Sequence, residues 1–250
     1  ELDFHPTSNN AANYDESETR FIKTISGTDI TLSTTAGGAE AALTYSHTGG
    51  VVFNVTRPVL IDTTNTARAW YGDFNEVTDV ANVDLDGCRL ETTGSSTTSR
   101  TTITFSSLGS ELFTADDVVF YRQLGTQGIT FGLNNTERTY TWLIFYDANA
   151  TGNAGAFNVS SMKNKRFENC YVIDSSSRGF LFSSASSCTL VDCGAWACGR
   201  TTTTGGGIAF LNSGNFFMDG IDVHANRSPG FELVTISDLT VLDSRMGNVG

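Results

Sequence analysis

A short signature returns four times in the last part of this chain. Phe167-Glu168-Asn169-Cys170, Leu190-Val191-Asp192-Cys193, Phe217-Met218-Asp219-Gly220 and Val241-Leu242-Asp243-Ser244 each read apolar, variable, Asn or Asp, then small. The spacings from Asn169 to Asp192, Asp219 and Asp243 are 23, 27 and 24 residues. A second marker, two apolar residues flanking one position, runs alongside in Phe157-Asn158-Val159, Phe180-Leu181-Phe182, Ile208-Ala209-Phe210 and Phe231-Glu232-Leu233, at spacings of 23, 28 and 23. Two markers sharing one irregular period near 24 require a stacked repeat architecture.

The units carry short alternating runs broken by Gly, Ser, Asn and Asp, and none carries a helical period. Helical repeats are therefore excluded. Asn and Asp tolerate left-handed backbone better than other non-glycine residues, which suits them to sharp corners between strands. Successive coils of short strands with such corners form an all-β solenoid, about 24 residues per rung. The run Thr201-Thr202-Thr203-Thr204-Gly205-Gly206-Gly207 accounts for the widest spacing as a loop that swells at one corner. Fainter rungs fall at Val83 to Leu90 and Ala115 to Phe120. Roughly 200 residues at this period predict about eight rungs, with Phe167, Val172, Phe182, Leu190, Phe210 and Leu233 in the core.

This repeat resembles that of the right-handed, single-stranded parallel β-helix proteins of the pectin-lyase-like superfamily, which includes polysaccharide lyases, glycoside hydrolases and bacteriophage tailspikes and tail fibres. The resemblance is clear over Gly155 to Gly250. The stretch from Leu43 to Ile61, with Ser46-His47-Thr48-Gly49-Gly50 and Thr56-Arg57-Pro58-Val59, is similar to the opening segment of a β-helix family of cell-surface hyaluronan-degrading proteins, although Pro58 stands where that pattern has Asn. Among these relatives the chain looks most like a phage tailspike, tail fibre or virion surface fibre that adheres to host-surface polysaccharide. Such a reading implies a homotrimer, other virion proteins as neighbours, and a virion or extracellular location. A secreted or virion-associated lyase or glycosidase is the alternative, and a purely structural virion component is a third.

The formal net charge of −12 disfavours nucleic acid and anionic membranes as partners. No apolar run is long enough to span a membrane, so no insertion is expected. Residues 1–20 read as a polar arm or linker, and 21–250 as the β-helix, which is expected to continue past the chain end. Early strands are expected at Phe21-Ile25, Asp29-Leu32, Leu43-Tyr45 and Val51-Thr56. The cysteines, Cys88, Cys170, Cys188, Cys193 and Cys198, form no zinc spacing. They read as buried small hydrophobes, with a local Cys193–Cys198 disulfide as the alternative.

For chemistry, the corner positions of Asp192, Asp219 and Asp243 explain them structurally, and Asp116-Asp117 likewise. Around Asp219-Gly220-Ile221-Asp222-Val223-His224, strand alternation points Ile221 and Val223 inward and turns Asp222 and His224 outward. Arg227 follows, and Trp196 lies one rung earlier in repeat phase. An aromatic platform with an acid, an imidazole and a guanidinium is what a sugar ring requires, so Trp196, Asp222, His224 and Arg227 form the candidate glycan contact. Solvated polar residues around a buried Trp196 are the competing reading. A glycosidase needs two carboxyl groups facing each other across the bond. No second acid can be placed beside Asp222, so no catalytic residue is assigned, and no cofactor or metal is expected.

Overall fold

The computed structural model describes residues 2–4, 18–27, 29–44, 52–54, 59–62, 72–74, 83–91, 103–105, 113–122, 129–131, 137–148, 155–199, 206–227 and 229–248. The inserted-loop residues 200–205 and most of the Leu43 to Ile61 stretch, His47 and Pro58 included, lie outside them.

From Val59 onward the strands stack in parallel, each pairing with the equivalent strand of the next coil. On one face Val59–Asp62 is followed by Cys88–Glu91, the second half of Phe113–Tyr121, the second half of Arg138–Tyr146, Tyr171–Ile173, Gly194–Trp196, Asp222–Asn226 and Arg245–Asn248. Two further faces run beside it, so each coil presents three strand positions before the chain climbs one rung. Both fainter rungs read from the sequence are present. The second marker is in register throughout: Phe157 pairs with Phe180, Phe182 with Phe210, and Ile208 with Phe231.

Alternation sends every second side chain inward, and aromatic rings stack up the interior. Phe120 and Phe145 lie 4.5 Å apart and nearly parallel. Phe210 packs at 5.3 Å on Phe182 and at 4.7 Å, edge to face, on Phe216. Phe167, Val172, Phe182, Leu190 and Phe210 are buried as expected. Leu233 is not, with 51% of its surface exposed, because it stands on the last of the stacked rungs of its face, where no further described strand covers it. Burial of each large side chain contributes roughly 1.5 to 3 kcal/mol, which lets this stack stabilise the coil. All five cysteines are free and buried, so no Cys193–Cys198 disulfide forms. Burial lifts the Cys188 thiol to about 11.

The structure moves the corner by one residue in one rung, from Asp219 to Gly220. Val191 pairs with Asp219 and Asp219 with Leu242, which sets the corner column as Gly87, Asp117, Trp142, Asn169, Asp192, Gly220 and Asp243. Every member has positive φ, from 39° at Asp243 to 66° at Gly220. Asp219 belongs to the neighbouring column, and the corner spacings become 23, 28 and 23, matching the second marker. Gly220 suits this left-handed corner, and a Cβ there would also stand 2.3 Å from Asp192 Oδ1, so that carboxylate would have to move.

The N-terminal residues also differ from expectation. Leu2–Phe4 joins an antiparallel sheet between Glu18–Ser26 and Val52–Asn54, with Asp29–Ser33 on the outer edge. This part of the expected arm is thus a strand. Leu43 and Thr44 are not in a strand. The Thr44 backbone N–H instead donates to the Glu18 carboxylate at 2.8 Å, and the side chain of Glu18 is ion-paired with Arg20.

Two stability experiments follow from this packing. Phe210→Ala should cost roughly 3 to 5 kcal/mol in denaturant unfolding, the usual loss for a buried Phe, whereas Leu233→Ala should cost under about 1 kcal/mol. Equal losses would contradict the assigned register. Gly220→Ala should destabilise by about 1 to 2 kcal/mol because alanine resists left-handed backbone; a neutral effect would place the corner elsewhere.

Candidate functional site

The face that carries Asp222 and His224 is four residues wide between two left-handed corners. One corner is the Asn169 and Asp192 column. The other holds Arg122, Asp147, Asp174 and Ala197, all at positive φ. Within each strand, two side chains point in and two point out. Ile221 and Val223 are fully buried in the core, leaving Asp222 and His224 on the outer side. His224 Nδ1 and Asp222 Oδ1 lie 2.9 Å apart. The carboxylate therefore orients the imidazole.

Trp196 pairs in register with His224, as the repeat phase required, and their rings are 5.4 Å apart. Its exposure is only 2%, however. The expected stacking platform is corrected accordingly: Trp196 packs in a second apolar cluster with Val119, Tyr121, Ile144, Tyr146 and Ile173, on the outer side of the sheet. A face read as solvent-facing is thus a small core of its own. Arg227 is exposed and lies past the second corner, three residues beyond His224, with its backbone N–H donating to Cys198 O at 3.0 Å. Asp222, His224 and Trp196 come together; Arg227 stands apart from Asp222, across that corner.

The accessible aromatic surface is supplied by residues outside the candidate set of Trp196, Asp222, His224 and Arg227. Tyr171 occupies the column of Gly194 and Asp222, and its ring stacks on Trp196 at 5.2 Å. On its other side, at 6.4 Å, lies Trp142, 46% exposed. Rings thus run from exposed Trp142 through half-buried Tyr171 to buried Trp196 and His224. Gly194 matters in this run, since it leaves the rung beyond Tyr171 without a side chain, and a Cβ there would stand 2.9 Å from the Trp196 ring.

Trp142 is unusual in its backbone as well. It holds φ of 53° in the column where other rungs place Gly, Asn or Asp. A bulky residue in left-handed backbone costs roughly 1 to 2 kcal/mol. Nothing in the core repays that cost, because the ring faces outward. In the sequence, Trp142 opens the apolar run Trp142-Leu143-Ile144-Phe145, the pattern of a strand. Only its alignment with Asn169, through the Thr141–Glu168 pair, shows it to be a corner residue.

Burial chiefly, with further contributions from Cys193, Asp192, Cys170 and Asp222, raises the Tyr171 phenol to about 12. The free phenol titrates near 10, so above pH 10 the unfolded chain ionises while the folded one resists. Stability should therefore fall between pH 10 and 12. The fall should be shallower in Tyr171→Phe, although Tyr140, whose hydroxyl is also raised by burial, keeps part of it. Identical alkaline melting curves for both proteins would refute this environment for Tyr171.

Among the described residues no group of three or more His, Cys, Asp or Glu side chains could hold a metal ion. Residues 127–250 match the family model described as right handed beta helix region. No curated protein matches the chain. Among solved structures, a "putative glycosyl hydrolase" from Parabacteroides merdae aligns at 9% identity over 66% of this chain and 74% of its own, with a TM-score of 0.35. QnrB1, a plasmid-mediated fluoroquinolone resistance protein, aligns at 10% identity over 75% and 90%, with a TM-score of 0.18. At these scores neither likeness carries an argument about function. The family match and the stacked parallel ladder agree on one architecture: from Val59 onward the described strands form a right-handed parallel β-helix.

Proposed function

We propose that this β-helix is an adhesive rod that binds polysaccharide along the corner edge marked by Trp142 and Tyr171, in the manner of a tailspike or tail fibre grasping host-surface glycan. The observation that carries this reading is Trp142: an exposed indole kept in left-handed backbone, at a position filled elsewhere by small or polar residues. Strained positions persist where a function depends on them. An indole beside a phenol offers the flat apolar surface on which a pyranose ring packs, and flanking hydroxyl and carboxyl groups supply acceptors for its hydroxyls. Binding, not cleavage, is the activity assigned. Asp222 is engaged with His224, their Oδ1 and Nδ1 atoms 2.9 Å apart. Trp196 acts from beneath, holding Tyr171 in place.

The decisive substitution is Trp142→Asn, which installs the residue that the next rung uses at the same corner. Affinity for the cognate polysaccharide should fall at least about tenfold, equivalent to about 1.4 kcal/mol. The melting temperature should stay level or rise by up to about 2 to 4 °C as the backbone strain is relieved. A clear drop in melting temperature with binding intact would make Trp142 a structural residue and remove the reading. Native mass measured on the same preparation should give a trimer; a stable monomer that binds fully would reject the fibre assembly while leaving the binding edge.

A further inference from the structure

The charges along the Trp142 edge point to the class of sugar it accepts. In the corner column Trp142 lies between Asp117 and Asn169, with Asp192 one rung further along and Asp243 beyond Gly220. In the adjoining column stand Asp116, which accepts a hydrogen bond from Thr141 Oγ1, and Asp219. Glu168, between them, is ion-paired with Arg166. On the other side, Asp222 shares the column of Tyr171. Besides Arg166, the described cations here are Arg245, which pairs with Asp222 in register on the far rung, and Arg89, buried in the Tyr171 column three rungs back and ion-paired with Glu91. Carboxylates therefore outnumber guanidiniums around the aromatic pair.

We infer that this edge selects uncharged or cationic sugars, such as neutral hexoses and amino sugars, and rejects uronates, sialates and sulfated chains. The inference rests on the glycan-binding reading above and sharpens it. An anionic polymer laid along the corner would bring its carboxylates within a Debye length, about 8 Å at physiological ionic strength, of several fixed negative charges. A neutral pyranose meets no such repulsion, and an ammonium group is attracted both by the carboxylates and by the indole face. Arg227, the guanidinium of the candidate contact read from the sequence, lies past the opposite corner and cannot serve this edge. Corner geometry gives the acidic residues a structural origin, since Asp suits left-handed backbone. Selectivity arises because the same column also holds the platform.

The test is a glycan array carrying neutral, amino-sugar and acidic glycans, probed with the whole protein at low salt and again near 1 M salt. Hits should be uncharged or cationic, with acidic glycans at least tenfold weaker and that gap narrowing in high salt. Asp117→Asn/Asp192→Asn removes two charges while keeping residues that tolerate the corner, so it should raise affinity for acidic glycans with little change in melting temperature. Acidic glycans binding as tightly as neutral ones, or a double variant that leaves the preference unmoved, would overturn the selectivity and leave the binding edge standing. No binding to any class would remove the glycan reading itself, and the selectivity with it. Loss of the neutral hits in Trp142→Asn would place them on this edge; their survival would assign them elsewhere.

Discussion

Every feature of this molecule depends on the parallel hydrogen-bonded register between one coil and the next. From Val59 onward each strand finds its backbone partners about a full coil away in sequence, as Phe180 does with Phe157 behind it and Ile208 ahead. Because strand side chains alternate, a slip of one residue would turn the whole inward set outward. The register is held by like residues stacking on like, with Phe on Phe and Cys170 beside Cys193 in the interior. The chain must also turn sharply between faces, and left-handed corners do this without breaking the ladder. The Asn169 amide donates to Val191 O and the Asp192 amide to Asp219 O, so the corner residues remain part of the hydrogen-bonded stack.

That constraint explains where this fold can carry function. The interior is filled and the flat faces are committed to pairing, so the outer side chains and the corners are the positions free to vary. Even the outer side is partly consumed, as the Val119, Tyr121, Ile173 and Trp196 cluster shows. A corner side chain projects from an edge and gains little from the core. Trp142 at such a corner carries a conformational cost of about 1 to 2 kcal/mol that the core does not offset. Its ring joins the Tyr171 and Trp196 stack, which links an exposed contact surface to a rigid, buried support. A rigid platform loses little entropy on binding, the property that the proposed glycan contact draws on.

Much of the fold was legible in the sequence because its physical cause is local. Whether a side chain faces in or out follows from alternation, and corners call for Gly, Asn or Asp; these requirements print a period into the chain. The all-β solenoid, the inward Phe residues and the outward turn of Asp222 and His224 could all be read in that way. The slip at Asp219 was legible too, in the disagreement between spacings of 27 and 28 in the two markers. An Asp-Gly pair offers two candidates for one corner, and pattern alone favoured the wrong one.

What only the tertiary structure decided is which outward residues meet solvent and which neighbours they acquire. Alternation states that Trp196 points away from the core, but not that other groups cover it; its burial arises from contacts distant in sequence. The same holds for Trp142. Its apolar run reads as a strand, and its corner position emerges only when Thr141 is paired with Glu168 across the rung boundary. Leu233 follows the inward pattern perfectly and is still half exposed, since burial needs a neighbour above as well as a direction. Sequence thus determined the repeat and the orientation of its side chains, both properties of a few adjacent residues. Stacking determined exposure, and with it the aromatic edge, because accessibility belongs to the assembled coil.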